Sequence, residues 1–477
     1  MERERPTTHE KALQINLDGR VFGTFAEIGA GQEVVRWFFR VGRAAATVAK
    51  SISAYDTTVS DEIYGPADQY VSRRRLVAML DREYSLLLRR LGAKRGEKSC
   101  FFAFSETVAT HSRPHQPGGH GWLGIRFQEH PRAEPSEIML HVQLLDSVPS
   151  AEQEALGILG VNLIYSAFYE QKPELIIGCL MDDLTRARIE VDMIKFSGPA
   201  FAGVDNRLMS LQLIEKGLTN AVMFNESGEV IQPSEVLAGR PVVIERGSFR
   251  PVTNITLDMI ERARMQVQYE SPAGFPDSVV LMEITLKNLM SDNVIDHRDF
   301  LARVDILGAL GKMVMISDYQ RFDQVTAFLR RYTGAQIGMV VGMPVLQEIF
   351  DEKYYTELDG GILEGFGRLF KGPVKLYVYP MRRAPGGDVC AADSLEIAHK
   401  LKHLYSYVCE NGFIEPIRDY QDDQLHVSPR DVLSEIQSGE PGWESLVPAH
   451  VAEMIKQQNL FGYRGVSEAL RGTQTGG

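Results

Sequence analysis

The chain has 477 residues, of which 44% are apolar and 24% are charged, as in ordinary globular proteins. Its 51 lysines and arginines against 63 aspartates and glutamates give a net charge of −12, which excludes a general nucleic-acid coat because phosphate binding needs a dense basic surface. No apolar run reaches the ~18–20 residues of a membrane span, and four widely spaced cysteines exclude a disulfide scaffold. We therefore predict a cytoplasmic protein without a membrane partner, divided into about two or three domains.

The first half of the chain mixes helix and strand patterns. A strand-like run leads into Gly29-Ala-Gly31 and then into an apolar helical pattern. This Gly-x-Gly is either the start of a dinucleotide loop or a tight turn that precedes Gln32 and Glu33 in the first turn of the helix. A dinucleotide-binding loop has a third small residue, glycine or alanine, at the position that Val34 occupies here. The alternation of further helices and strands predicts a mixed α/β domain over residues 1–235, without an assigned role.

Two groups of polar residues in this half are candidate sites. The first group lies in a histidine-rich loop and the strand after it. It forms a site for a metal ion or a phosphate, or else it belongs to a solvated loop. Its candidate residues are His111, His115, His120, Trp122 and Arg126. The second group surrounds the glycine- and proline-containing loop 196–203 and forms either a polar pocket or the cap of the next helix; its members are Asp192, Lys195, Asp205, Asn206 and Arg207.

The second half of the chain has a more regular pattern. Short apolar strands alternate with helices of similar length, which predicts a doubly wound, mainly parallel, Rossmann-like α/β sheet over residues 236–390. A helical C-terminal extension, residues 391–477, follows, with helices predicted at 391–414 and 429–457. The predicted strands are Val242–Glu245, Val279–Ile284, Met313–Ile316, Ile337–Val341 and Val374–Tyr379.

A glycine-containing loop follows the first of these strands and opens a helix. Its sequence is Gly247-Ser248-Phe249-Arg250-Pro251-Val252-Thr253-Asn254-Ile255-Thr256. This closely resembles the first strand–loop–helix of the nucleotidylyltransferase superfamily, whose pattern is Gly-Ser/Thr-Phe-Asp-Pro, then Thr or His, any residue, Gly and His. The nearest similarity is to nicotinate-nucleotide and phosphopantetheine adenylyltransferases. Over its full length the chain is also similar to a bacterial family of unassigned function.

The resemblance implies a nucleotide-binding protein that transfers the adenylyl group of ATP to a phosphate-bearing acceptor such as nicotinate nucleotide, with Mg²⁺. A helix start after a close-turning glycine suits an anion, because its free N–H groups and dipole favour negative charge. Ligands of such sheets bind beyond the carboxyl ends of the strands. The expected ligand-binding residues are therefore Gly247, Ser248, Phe249, Thr253, Ser317 and Gly342.

The loop departs from the family pattern at the charged positions. Arg250 stands where the family has aspartate, and Ile255 and Thr256 replace its closing glycine and histidine. Threonine cannot carry the positive charge that stabilises the transition state, although Arg250 offers a partial replacement. Arg250 and Thr256 are the candidate catalytic residues. The alternative is a degenerate binding or assembly module without transferase activity.

Three further features have two interpretations each. Glu283 lies in an apolar strand and is either a site carboxylate or a water-facing edge residue. Ser317 and Gly342 follow predicted strands and either face a ligand or make ordinary turns. Lys353, in a glycine-rich stretch, either contacts phosphate or belongs to a solvated helix end. We expect a small phosphate-bearing ligand, and the sequence leaves a homo-oligomer open.

Overall fold

The computed structural model describes residues 5–110, 118–170, 172–271, 276–291 and 294–464. The chain divides into two compact units, residues 1–222 and residues 223–477. The division falls inside the strand Ala221–Phe224, whereas the sequence pattern predicts a boundary between residues 235 and 236.

The first unit is a mixed α/β structure, as predicted. Its strands are β1 (Val21–Ile28), β2 (Val48–Ile52), β3 (Cys100–Ala109), β4 (His120–Phe127), β5 (Ser136–Leu144) and β6 (Ile189–Ser197). Its helices are α1 (Thr8–Leu17), α2 (Glu33–Arg40), α3 (Thr57–Tyr64), α4 (Arg73–Arg95), α5 (Pro149–Tyr169), α6 (Pro173–Leu180) and α7 (Asn206–Glu215). The six strands have the order β2-β1-β3-β4-β5-β6. Strand β1 is parallel to β2 and β3, and the other neighbours are antiparallel.

The core of this unit is built from aromatic rings and one apolar helix. The ring centroid of Phe25 lies 5.1 Å from that of Phe38 and 5.5 Å from that of Phe102. Helix α5 is buried over most of its length because its sequence is apolar on nearly every face. Gly160 lets α2 approach α5, since a Cβ there would stand 2.3 Å from the side chain of Val34. No helix among the described residues, α5 included, is long and apolar enough to cross a membrane.

The Gly-x-Gly loop between β1 and α2 is a tight turn. Gly29 has a φ of 101°, and a Cβ on it would stand 1.8 Å from the carbonyl oxygen of Val108. Helix α2 begins at Glu33, directly after the turn. The tight-turn interpretation of the sequence is therefore confirmed.

The second unit contains the larger sheet. Its strands are β7 (Ala221–Phe224), β8 (Val230–Ile231), β9 (Val242–Arg246), β10 (Val279–Thr285), β11 (Met290–Ser291), β12 (Val294–Ile295), β13 (Met313–Ser317), β14 (Ile337–Gly342), β15 (Val374–Tyr379), β16 (Met381–Arg382), β17 (Val389–Cys390) and β18 (Ile414–Pro416). Its helices are α8 (Pro233–Leu237), α9 (Asn254–Glu270), α10 (Leu286–Leu289), α11 (His297–Ala309), α12 (Phe322–Leu329), α13 (Met343–Ile349), α14 (Gly361–Leu369), α15 (Lys402–Glu410), α16 (Pro429–Ser438) and α17 (Ala449–Gln458).

The five predicted strands of this unit lie in one sheet, as expected. The sheet has eight strands in the order β18-β15-β14-β9-β10-β13-β7-β8. All pairs from β18 to β13 are parallel. The chain starts this parallel part in the middle, at β9, runs through β10 and β13 on one side, and then continues through β14, β15 and β18 on the other. Gly247, Ser317 and Gly342 consequently lie at the same edge, because the carboxyl ends of parallel strands point the same way.

The C-terminal extension is less helical than the sequence pattern indicated. Residues 391–401 contain only the short 3₁₀ turns Ala392–Ser394 and His399–Leu401, and the following segment ends in strand β18. The long helix predicted after Pro429 is two helices, because Gly439 and Gly442 adopt left-handed backbone with φ of 76° and 113°. Residues 471–477, which the sequence pattern predicts to be loose, lie outside the described residues.

All four cysteines are free thiols, with Cys100 buried and the other three partly buried. We expect Ellman's reagent to detect four thiols per chain in denaturant without reductant, since a reducing compartment leaves such cysteines unpaired. Detection of two or fewer would contradict the predicted compartment.

Candidate functional site

The loop after β9 turns sharply at Gly247. The Gly247 N–H donates to the carbonyl oxygen of Glu283 at 3.0 Å. A Cβ at Gly247 would stand 2.7 Å from the ring of Phe249, which is buried and has a φ of 47°. Phe249 thus fills the inside of the turn, and glycine is required beneath it. The ligand contact predicted for Phe249 stays a prediction, and its buried ring does not line the cavity described below.

The protein itself supplies partners for two of the N–H groups at the start of α9. Thr253 caps the helix, since its hydroxyl accepts the Thr256 N–H at 3.3 Å. The two threonine hydroxyls lie 3.0 Å apart, and both residues are buried. The Asn254 N–H donates to the carbonyl oxygen of Leu446 at 2.9 Å. Two first-turn donors therefore already have partners, and the open space for a ligand lies beside the helix start.

Arg250 lines a cavity of about 280 Å³ next to this loop. Its Nε donates to the Asp299 carboxylate at 2.9 Å, and about a third of its side chain is exposed. The cavity combines three guanidinium groups with two carboxylates and a few polar and apolar side chains. Its lining residues are Ser248, Arg250, Asn288, Leu289, Met290, Asp296, Asp299, Arg303, Pro429, Arg430 and Leu433.

Arg303 anchors the inner wall of the cavity. It is buried, forms an ion pair with Asp299, and donates to the carbonyl oxygens of Ser248 at 3.1 Å and Asn288 at 2.7 Å. Burial lowers the pKa of Arg303 against the opposing charge of Asp299. Its Nε atom is buried and has no hydrogen-bond partner in the described part of the chain. Asp299 is shared by Arg250 and Arg303, and the charge of Asp296 also acts on Arg303.

Glu283 lies at the neighbouring strand ends and has partners of its own. Its fully buried carboxylate accepts from Arg246 at 2.8 and 3.0 Å and from the Ser317 hydroxyl at 2.6 Å. The Arg246 guanidinium also lies 4.6 Å from the ring centroid of Phe322. The water-facing edge interpretation of Glu283 is therefore wrong, because β10 is an interior strand and the carboxylate meets an arginine. The Ser317 hydroxyl is directed to Glu283, and Ser317 does not line the cavity.

Two other predicted residues also lie outside the cavity. Gly342 is the residue that precedes α13, and it is partly exposed. Lys353 pairs with Asp351 at 2.6 Å, and its side chain is 64% exposed. The solvated helix-end interpretation of Lys353 is confirmed.

Two of the polar residues near loop 196–203, Asp205 and Asn206, bond to backbone groups around the start of α7. The Asp205 carboxylate accepts the Arg207 N–H at 2.9 Å at the start of α7. The Asn206 side chain bonds both the N–H and the carbonyl oxygen of Phe196, at 2.8 and 3.0 Å. The capping interpretation is therefore confirmed for Asp205, whereas the Asn206 side chain ties the end of β6 to the start of α7 and does not cap the helix.

The histidine-rich loop is only partly described. His111 and His115 lie outside the described residues, whereas His120 begins β4 and contacts His141. Arg126 pairs with Glu137 and with Asp81. His120 and Arg126, two of the candidate residues, thus contact different side chains and do not share a partner.

Sequence reasoning missed several residues of the cavity wall. Asp299 and Arg303 are four residues apart on α11, and Asn288 and Arg430 come from distant segments. One signal was present in the sequence, because Arg303 occupies a position among apolar residues of α11 that a purely structural helix would leave to an apolar side chain. The contact between Arg303 and Ser248 could not be predicted, because 55 residues separate them in the sequence.

The Mg²⁺ implied by the resemblance does not fit as a resident ion. The described residues contain no group of three or more side chains able to hold a metal. Asp299 is engaged by two arginines, and Asp296 accepts the backbone N–H groups of Arg298 and Asp299 at the start of α11.

No protein-family model matches the chain, and no curated protein matches it. Solved structures with some likeness are described as competence/damage-inducible proteins. The CihA protein from Agrobacterium tumefaciens is 16% identical, covers 35% of this chain and 98% of its own, and has a TM-score of 0.26. A CinA superfamily protein from Enterobacter cloacae is 11% identical, covers 35% and 95%, and has a TM-score of 0.27. One from Escherichia coli is 12% identical, covers 35% and 92%, and has a TM-score of 0.25.

These similarities are too low to carry a function to this chain. The descriptions of the three structures do not name nucleotidylyltransferases, so the family resemblance of the loop after β9 gains no support from them. The chemistry of the cavity beside Arg250 is the remaining guide to function.

Proposed function

We propose that the second unit binds a small phosphate-bearing molecule, with a nucleotide as the first candidate, in the cavity beside Arg250. The observation that carries this proposal is the surplus of guanidinium groups, three against two carboxylates, around a cavity of about 280 Å³. Guanidinium groups bind phosphate through paired, charge-assisted hydrogen bonds. In a chain with a net charge of −12, a cavity lined by more arginines than carboxylates differs in charge from the protein as a whole.

The position of the cavity supports the same proposal. In the order β13-β10-β9-β14-β15-β18 the chain leaves β9 toward one side and later crosses to the other. This is the strand order of doubly wound, Rossmann-like sheets, whose ligands bind beyond the carboxyl ends near the strand where the order reverses. Ser248 and Arg250 belong to the loop that leaves β9 at that edge.

Adenylyl transfer is the finer possibility that the loop sequence implies. It would need positive charge near the attacked phosphate. Thr256 supplies none, because a hydroxyl group is neutral, and this hydroxyl is buried beside that of Thr253. Arg250, Arg303 and Arg430 would have to supply it instead. We propose that binding of a phosphate-bearing molecule is the basic property of this site. A binding module without transferase activity, the alternative left open by the sequence, agrees with this proposal.

A thermal-shift screen of the full chain tests the proposal. The probes are ATP, ADP, AMP, nicotinate mononucleotide and inorganic phosphate, each with and without added Mg²⁺. A probe at a hundredfold excess over its Kd stabilises the protein by about 2.7 kcal/mol. Stabilisation by at least one nucleotide is expected, and no shift with any probe at millimolar concentration would overturn the proposal. Pyrophosphate release from ATP with nicotinate mononucleotide separates transfer from binding alone.

Arg250→Ala is expected to weaken binding of the best probe about ten- to a hundredfold, because a hydrogen bond to a charged group is worth ~1.5–3 kcal/mol. Folding should change little, since Asp299 keeps its ion pair with the buried Arg303. Thr256→Ala should leave the affinity unchanged, because its buried hydroxyl lies beside that of Thr253 and Thr256 does not line the cavity. Isothermal titration calorimetry measures each affinity.

The matched control is Arg264→Ala, because Arg264 also lies at the second unit's surface, pairs with Glu261 and does not line the cavity. It should leave the affinity unchanged. Equal affinities for wild type and Arg250→Ala would show that the ligand binds elsewhere.

A further inference from the structure

The first unit contains a chain of hydrogen bonds through two histidines. The His141 Nδ1 lies 2.6 Å from a carboxylate oxygen of Asp192, and the His141 Nε2 lies 3.3 Å from the His120 Nδ1. His141 and Asp192 are buried, whereas His120 is partly exposed. Gln143 donates to the second oxygen of Asp192 at 3.1 Å, and the Trp122 ring lies 4.9 Å from that of His141. The chain therefore runs from a buried carboxylate to a more exposed ring.

The outer end of this chain lies at an edge where α/β sheets bind ligands. His120 is the first residue of β4 and pairs with Ala109, the last residue of β3. Strand β3 is parallel to β1, so His120 lies at the carboxyl edge of the parallel part of the sheet. The His120 Nε2 has no hydrogen-bond partner among the residues that the structure describes, and it is not one of the buried atoms that lack a partner.

Donor and acceptor roles along the chain are coupled. An ionised Asp192 accepts the Nδ1–H of His141. If His141 is neutral, its Nε2 has a lone pair and must accept the Nδ1–H of His120. Neutral His120 then has its own lone pair on Nε2, the atom without a partner. An added proton can enter there, because His120 can pass its Nδ1 proton to His141 and keep the new one.

We propose that His120 is a proton-accepting site, which takes a proton at Nε2 from water or from the hydroxyl group of a bound molecule and passes charge along His141 to Asp192. In this step the donor O–H bond breaks and the His120 Nε2–H bond forms. The His120 Nδ1–H bond breaks in turn, and an Nε2–H bond forms on His141. The products are an oxygen nucleophile at the sheet edge and a buried imidazolium–carboxylate pair. The site belongs to the first unit, and the proposal does not depend on the function of the cavity beside Arg250.

The surrounding charges suit this direction of transfer. Burial, aided by the charge of a protonated His141 and opposed by the charge of Asp192, lowers the pKa of His120 and so disfavours an imidazolium on that ring. Burial opposes ionisation of Asp192, yet once His141 carries the transferred proton its charge and hydrogen bond hold the pKa of that carboxyl below its usual value, which stabilises the product pair. The titratable groups that act on His120 in the described structure are His141 on β5 and Asp192 on β6.

Nitrogen-15 NMR of the full chain, labelled at histidine, tests the proposal. Long-range proton–nitrogen spectra report which ring nitrogen carries the proton, and His120→Gln assigns the signals. At pH 8 we expect Nδ1–H and unprotonated Nε2 on both His120 and His141. On acidification we expect His120 to become protonated at Nε2 while His141 gains its second proton. An Nε2–H form of His120 at pH 8 would overturn the proposal without need of any further variant.

Asp192→Asn tests whether the carboxylate drives the transfer. Loss of a nearby opposite charge shifts a pKa by about 1–3 units, so the midpoint of proton uptake by the chain should fall by that amount. Asp146→Asn is the control, because Asp146 pairs with Arg188. An unchanged midpoint in folded Asp192→Asn would refute the relay.

Diethyl pyrocarbonate tests whether the Nε2 atom is reachable. The reagent acylates unprotonated ring nitrogens, and peptide mass spectrometry locates the product. We expect modification of His120 in the native chain at pH 7, with His450, whose side chain is 60% exposed, as the positive control. Modification of His450 without His120 would show that no bound molecule can reach the atom, and the proposal would fail.

Discussion

Replacing Arg246 by alanine is expected to destabilise the second unit by about 3–5 kcal/mol, the cost of leaving a buried ion without its partner. Glu283 is fully buried, and Arg246 gives it two hydrogen bonds. The variant also loses the bond from Arg246 to the Gln320 carbonyl oxygen and the packing on Phe322. Hydrogen exchange measured by mass spectrometry on peptides of β9, β10 and β13 gives the free energy of opening.

The double variant Arg246→Ala, Glu283→Leu distinguishes an orphaned charge from a lost contact. Replacing a buried ion pair by apolar side chains is often neutral or stabilising, so the double variant should recover at least ~2 kcal/mol of the loss. Arg264→Ala again provides a surface-arginine control, with an expected change of about 0–1 kcal/mol. A double variant no more stable than Arg246→Ala alone would contradict this explanation.

Glu106→Gln is expected to stabilise the first unit at pH 8 by about 1.5–3 kcal/mol, the value of a hydrogen bond to a charged group. Glu106 is completely buried, both its carboxyl oxygens lack partners in the described structure, and it stands opposite Glu27 in the parallel pair β1–β3. Glu27 accepts the Val34 and Val35 N–H groups at the start of α2. A glutamine at position 106 can donate to that carboxylate instead of competing with it.

The gain should grow with pH. Burial raises the pKa of Glu27 from its ordinary 4.5 to about 7, and burial with the charges of Glu27 and Glu33 raises the pKa of Glu106 well above its usual range. The folded protein therefore holds more protons than the unfolded chain above pH 4.5, and its stability falls as the pH rises. For Glu27 alone the shift corresponds to roughly 3 kcal/mol. At pH 5 protonated Glu106 resembles glutamine, so the variant and wild type should differ little.

Hydrogen exchange on peptides of β1 and β3 at pH 5 and pH 8, corrected for the intrinsic pH dependence of exchange, measures the effect. Glu129→Gln, at an exposed position, is the control and should show no pH-dependent gain. A Glu106→Gln variant less stable than wild type at pH 8 would mean that Glu106 has a partner that compensates its charge.

The strands of the second unit could be predicted because each is an apolar run bounded by polar residues, as buried parallel strands require. The order in which these strands pair, and the side-chain contacts between them, could not be predicted from the sequence. Glu283 meets Arg246 and Ser317 from positions 37 and 34 residues away. A lone carboxylate in an apolar strand predicts that some partner exists, but periodicity does not say which strand supplies it.

The candidate site was predictable at Arg250 and Ser248 and not at its opposite wall. The loop sequence drew attention to Arg250, whereas Asp299 and Arg303 come from a helix about 50 residues later. Thr253 and Thr256 were expected to face a ligand because helix starts carry free N–H groups. In the fold these hydroxyls serve the cap itself, and a distant carbonyl oxygen, that of Leu446, takes another of the donors.

The late strand β18 and the turn before α17 have a consequence for the chain as it leaves the ribosome. Strands of the first unit are all present once Ser197 has emerged, so that unit can fold while synthesis continues. The second unit must wait longer, since β18 covers the edge of β15 and Asn254 bonds Ser445, 191 residues further on. A nascent chain stalled before residue 414 would display β15 as an unpaired edge, the kind of surface on which strands of other chains add.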